Sequence, residues 1–152
     1  MLKMNEVSAL IISEDVVLVS ILRRFMLNHC HRVIIETRSS FAEVKSLPFK
    51  YEVDLVFIDD SITGTANYEV ISHLRYEKVV KAPVYYFSNA DTGERALKKG
   101  ANYLFTKPFN PNELINHILS IIGSNKSNSE FTAGAAHKEQ SVSDFRTRIS
   151  FN

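Results

Sequence analysis

The feature that most constrains this chain is an alternation. Short β-branched runs take turns with stretches whose apolar residues recur every third or fourth position. Val7-Ser8-Ala9-Leu10-Ile11-Ile12 reads as a strand buried on both faces. Leu18, Ile21, Leu22 and Phe25 follow at helical spacing, with Asp15 placed to cap the start. Arg32-Val33-Ile34-Ile35-Glu36 is the next strand, and a short helix from Phe41 to Leu47 ends at Pro48. Leu55-Val56-Phe57-Ile58 is the most apolar run; after a loop with Gly64, Tyr68, Ile71 and Leu74 form a helical stripe. Pro83-Val84-Tyr85-Tyr86-Phe87 is a fourth strand. Asp91 and Glu94 then make a capping-box pattern, and Gly100 stands where a helix would stop. Tyr103-Leu104-Phe105 is a brief fifth strand, followed by Asn110 as cap, Pro111 in the first turn, and Leu114, Ile115, Ile118, Leu119 and Ile122 along one side.

Five strands and five helices in βα order require crossover connections. Because such crossovers are right-handed, the simplest closure is a doubly wound α/β parallel sheet with helices on both faces. Sites in such sheets form beyond the carboxyl ends of the strands. Those ends read Ser13-Glu14-Asp15, Asp59-Asp60, Ser88-Asn89 and Lys107-Pro108. Facing carboxylates repel unless a hard cation lies between them, and Mg²⁺ keeps open positions for phosphate oxygens. With an ammonium and a hydroxyl to hold the other oxygens, the set suits phosphoryl transfer to the carboxylate of Asp59. Neither G-x-x-x-x-G-K-[ST] nor G-x-G-x-x-G occurs, so no glycine-rich phosphate cradle is expected.

Composition narrows the classes. Eighteen basic residues against 17 acidic ones leave a formal charge of +1, too balanced for binding nucleic acid by bulk charge. The single cysteine, Cys30, excludes a disulfide framework and suits a reducing compartment. No apolar run is long enough to cross a bilayer, and no basic-then-apolar leader is visible, so a cytoplasmic protein with no membrane partner is expected. From Ser124 the chain turns to Ser, Asn, Lys and Ala; residues 1–123 read as the domain and 124–152 as a flexible extension. Within that extension Phe145, Thr147, Ile149 and Phe151 recur at period two, but no output domain for DNA is legible. His29-Cys30-His31, in an expected loop, is weakly suggestive of a metal, and His73 and His117 sit in expected helices away from the crevice.

The motifs Ile11-Ile12-Ser13-Glu14-Asp15, Asp54-Leu55-Val56-Phe57-Ile58-Asp59, Pro83-Val84-Tyr85-Tyr86-Phe87-Ser88 and Gly100-Ala101-Asn102-Tyr103-Leu104-Phe105-Thr106-Lys107-Pro108-Phe109 occur in this order and spacing. In them the chain resembles the receiver domain of two-component response regulators, from about Val7 to Gly123. The resemblance implies a flavodoxin-like doubly wound five-stranded parallel sheet of order 2-1-3-4-5 with five helices. It implies that Asp59 accepts a phosphoryl group from a histidine kinase or phosphotransfer protein. It also implies Mg²⁺ on Glu14, Asp59 and the carbonyl of Ser61, with Asp15 as an additional candidate, and contacts from Lys107 and Ser88 to the phosphate. The Lys107–Pro108 bond would be cis. Output would be a changed protein-binding face carrying Lys98, Lys99, Leu104 and His117; the chain would be no enzyme beyond assisting its own phosphorylation and dephosphorylation.

The chain departs from the family pattern in several places. Ser13-Glu14 stands for an acidic pair, which removes one carboxylate, lengthens the other and weakens the expected metal site. Asn89 replaces a small residue, Thr63 a proline, and Leu104 the switch aromatic, while Tyr103 faces the opposite side of its strand. These departures define an alternative, a degenerate receiver acting as a phosphorylation-independent interaction module. A flavodoxin-like redox carrier is the third reading, disfavoured because Ser13-Glu14-Asp15 would repel a flavin phosphate.

Overall fold

In the computed structural model, which describes residues 4–62, 67–88 and 93–127, the alternation resolves into ten elements. They are β1 (Met4–Ile12), α1 (Val16–His29), β2 (Cys30–Arg38), α2 (Phe41–Lys45), β3 (Leu55–Asp59), α3 (Asn67–Tyr76), β4 (Val84–Ser88), α4 (Gly93–Lys99), β5 (Tyr103–Thr106) and α5 (Pro111–Ser127). The strands form one parallel sheet of order β2-β1-β3-β4-β5, as expected. Thr63, Gly64, Asn89 and Asp91, and the extension from residue 128 onward, lie outside the described residues.

Side chains alternate across a strand, so each central strand feeds two cores. Val7, Ala9, Ile11, Phe57, Tyr85, Phe87, Tyr103 and Phe105 face α1 and α5, where Leu22, Phe25, Leu114 and Ile118 close over them. Leu10, Ile12, Val56, Ile58, Val84 and Tyr86 face Val44 of α2, Val70, Ile71 and Leu74 of α3 and Ala96 of α4. Every residue of β3 and β4 is buried. The ends of these strands are therefore held from both sides, which makes their carboxyl edge a firm base for a site.

The elements begin and end where the chemistry says they should, with three instructive differences. Asp15 caps α1, its carboxylate accepting from the N–H groups of Val17 (3.0 Å) and Leu18 (3.2 Å). Gly100 follows α4 at φ +119°, and Ala101 N–H donates back to Ala96 C=O (2.9 Å), a left-handed helix stop that glycine accommodates. The first difference is α2, which stops at Lys45 rather than Leu47 because Pro48 disfavours helical backbone at the residue before it. The second is the His29-Cys30-His31 run, which is not a loop: α1 ends at His29 and β2 starts at Cys30. Cys30 is buried and His31 exposed, while His29 is bound through Nδ1 to the carbonyl of Phe25 (3.0 Å), so the three do not converge on a metal. The third is α5, which runs through Gly123 to Ser127. The Lys107–Pro108 peptide is cis, and no helix among the described residues is long and apolar enough to cross a membrane.

Candidate functional site

Strand order reverses between β1 and β3, and the ends of those strands are joined at the carboxyl edge through Asp59. Asp59 closes β3 and is fully buried. A buried carboxylate is costly unless its oxygens are hydrogen-bonded and its charge is met. Here both needs are filled. Its Oδ2 accepts from Ser13 Oγ (2.8 Å), just past β1, and from Ser61 Oγ (2.6 Å), two residues on. Its Oδ1 is ion-paired with the ammonium of Lys107. Lys107 follows β5 directly and also holds Asp60 Oδ1 at 2.8 Å.

The two hydroxyls are themselves anchored. Ser13 Oγ accepts from the N–H of Asp15 (2.8 Å), and Ser61 Oγ accepts from the N–H of Glu14 (2.9 Å). A hydroxyl has one proton to donate and two lone pairs, so each serine spends its proton on Asp59 and a lone pair on backbone. Lys107 N–H donates to Ser88 C=O (2.9 Å), tying the ends of β4 and β5 together, and Ser88 itself is buried.

The structure thus unites Asp59, Lys107 and the hydroxyl of Ser61, with Ser88 on the adjoining strand. Asp60 joins them through the Lys107 ammonium. Glu14 has an exposed side chain, and Asp15 spends its carboxylate on the α1 cap. Among the described residues no three His, Cys, Asp or Glu are grouped to hold a metal. Mg²⁺ requires oxygen ligands near 2.0–2.1 Å in octahedral array (about six of them), whereas the oxygens of Asp59 already carry protein donors. Of the residues expected around Mg²⁺ (Glu14, Asp59, the carbonyl of Ser61, and Asp15), Asp59 meets protein donors here and the Asp15 carboxylate caps α1.

On the expected readout face, Lys98 is exposed and Lys99 is paired with Glu69 (3.3 Å). Leu104 is half-buried against α4, and a Cβ on Gly93 would come within 2.8 Å of its Cδ1. His117 corrects the expectation: it is 8% exposed and packs edge-on to Tyr103 with ring centroids 4.4 Å apart. Its position explains this, since it lies three residues after Leu114 and four before Ile121, on the same inward stripe of α5. Two participants were missed in the sequence, Asp60 and the Ser13 hydroxyl. Both stand at strand ends already singled out, and a short hydroxyl beside an acid is itself a donor signal.

Burial pulls the pKa of Lys107 down, but hydrogen bonds to Asp59 and Asp60, together with their charges, raise it above the ordinary 10.5. A raised amine stabilises the fold fully below its unfolded pKa and loses that contribution as pH climbs through the folded value. Tyr51 moves the same way, pushed up to about 12 by burial and by the charge and hydrogen bond of Glu36, and burial raises Tyr85 too. A phenol held neutral in the fold costs stability once the unfolded chain ionises, above pH of about 10. Thermal melts in a pH series are expected to show a falling Tm from there upward, with Tyr85 ionising only as the protein unfolds. A flat Tm across that range contradicts both assignments.

Residues 9–119 match the family model described as the response regulator receiver domain. The chain is similar to the cell cycle response regulator CtrA of Brucella ovis, 34% identical over 83 residues, which are 53% of this chain and 35% of that protein. It spans about a third of the length of that curated relative. Among solved structures it is similar to the signal receiver domain of a DNA-binding response regulator from Colwellia psychrerythraea (TM-score 0.66, 21% identity, 77% of this chain and 98% of that one). It is also similar to a CheY-like receiver domain protein from Methanospirillum hungatei (TM-score 0.64, 15% identity, 84% and 99%). At such identities the structural likeness speaks to the fold.

Proposed function

This chain belongs to the response regulator receiver domains of two-component signalling, and from that premise we propose that it is a phosphorylation-operated switch whose acceptor is Asp59. The observation that carries the reading is the pairing of a fully buried Asp59, at the end of β3, with Lys107 from the end of β5. A carboxylate oxygen of Asp59 attacks the phosphorus of a phosphohistidine on a histidine kinase or phosphotransfer protein. The new P–O bond forms as the N–P bond breaks, and the electron pair of the broken bond returns to the imidazole. The phosphoryl group brings about −1.5 to −2 charge beside Lys107. The ammonium turns to the phosphate oxygens, and Ser88 donates to another. Receiver domains generally bind Mg²⁺ at the acidic pocket and act as signalling switches rather than enzymes. Output is a shift between pre-existing states of the α4–β5–α5 side, read by a protein partner in the cytoplasm at exposed positions such as Lys98.

Incubation of the full chain with acetyl phosphate, divalent metal supplied, is expected to add one phosphoryl group by intact mass. Asp59→Asn abolishes the adduct completely. An adduct that persists in the variant, or none in the wild type from acetyl phosphate or a phosphohistidine donor, sinks the switch. One observation favours a second reading, a phosphorylation-independent interaction module: Ser13 Oγ, Ser61 Oγ and the Lys107 ammonium already occupy both oxygens of Asp59. The same assay separates the two.

A further inference from the structure

We propose that the pocket around Asp59 is a hydroxyl-and-ammonium cage that takes up no divalent cation in the millimolar range, and that Ser13 is the residue that decides this. The donor set carries the argument. Asp59 Oδ2 receives two hydroxyl protons, from Ser13 (2.8 Å) and Ser61 (2.6 Å), and Oδ1 faces the Lys107 ammonium. Each hydroxyl is turned by a backbone N–H behind it, that of Asp15 on Ser13 and that of Glu14 on Ser61. The proton of each serine is thereby aimed at the carboxylate and its lone pairs away from it, the reverse of what a cation needs.

Charge points the same way. Lys107 contacts Asp59 and Asp60 together, so one fixed cation serves the two carboxylates inside the pocket. A divalent ion would have to displace the ammonium or both hydroxyl protons, and Mg²⁺ sheds its own water reluctantly. Asp15 cannot turn inward without giving up the α1 cap. Ser13 is 6% exposed and directly on Asp59, so a carboxylate in its place would put two acids against each other and leave their mutual repulsion for a metal to relieve. Position 13 thus sets whether the site is closed by a proton donor or opened to a cation.

The test is a titration of the folded chain with MgCl₂ and with MnCl₂ by calorimetry, alongside thermal melts with and without metal. Wild type is expected to show no saturable heat and an unchanged Tm. Ser13→Asp is expected to bind either metal saturably in the millimolar range, with Tm rising by about 4 °C near saturation and chelator reversing the rise. Should Ser13→Asp be unfolded without metal, recovery of its circular dichroism on adding Mg²⁺ gives the same support. Ser13→Ala, lacking both the proton and the charge, gains no binding. Saturable millimolar binding by wild type overturns the cage. A Ser13→Asp chain that stays metal-blind, or stays unfolded in Mg²⁺, overturns the role of Ser13. Because the readout is metal uptake and not phosphorylation, failure here and failure of the switch are separate results.

Discussion

Lys107→Met is expected to destabilise the fold by about 3 kcal/mol, while Asp59→Asn costs no more than about 1 kcal/mol. The two substitutions break the same ion pair, so the inequality comes from what each leaves behind. Removing the amine strands a fully buried carboxylate whose remaining partners among the described residues are the neutral hydroxyls of Ser13 and Ser61. Removing the acid leaves an ammonium that still holds Asp60 at 2.8 Å and whose side chain is 19% exposed to water. The figure for Lys107 sits at the lower end of what breaking a buried pair costs, because hydroxyls and water share the burden. Urea melts of the three proteins provide the comparison. Equal losses, or a larger loss for Asp59→Asn, show that Lys107 is not the partner on which the buried Asp59 side chain depends.

Arg75→Ala carries an effect of similar size at the opposite edge of the sheet. The guanidinium of Arg75, on α3, donates to Gly100 C=O twice (Nε 3.1 Å, Nη2 2.8 Å), to Val80 C=O (2.9 Å), to Ala82 C=O (2.8 Å) and to Asn102 Oδ1 (2.7 Å). It clamps the segment leading into β4 onto the turn between α4 and β5. Removing it strands three carbonyls in part-buried surroundings, at about 3 kcal/mol in total. Arg75→Lys recovers less than half of that, because an ammonium on a single stem cannot reproduce the planar fork. The same clamp explains why Gly100 admits no side chain. A Cβ there would meet Arg75 Cγ at 2.9 Å, on a backbone whose φ of +119° already disfavours one. Chemical denaturation with both Arg75 variants checks the ranking; a lysine that restores full stability shows that charge alone, not the fork, matters at that position.

How far the site was legible differs residue by residue. Asp59 and Lys107 stand immediately at or after apolar strands, so alternation and the rule that sites lie beyond strand ends bring them to one edge. The direction of a hydroxyl is another matter. Ser13 reads as a lost carboxylate, and only the geometry turns it into a proton donor on Asp59, because its rotor is set by the N–H of Asp15. His117 shows the same limit from the other side. A histidine in an amphipathic helix reads as polar surface until the packing of α5 puts it against Tyr103 and Tyr85. Arg75 gave no signal at all, since its partners are backbone carbonyls far along the chain, and any residue type supplies a carbonyl.

By itself, then, the order of amino acids determined the number and kind of elements, their alternation, the two-sided burial of the central strands, and which acid and which amine reach the carboxyl edge. These follow from periodicities of two and 3.6 residues and from cap and stop residues, all of them local rules. Only the tertiary structure decided that two serine protons and one ammonium saturate Asp59, that His117 faces inward, and that Arg75 locks α3 to the α4–β5 turn. Those outcomes depend on distances between groups brought together from separate elements, and no local rule measures a distance of that kind.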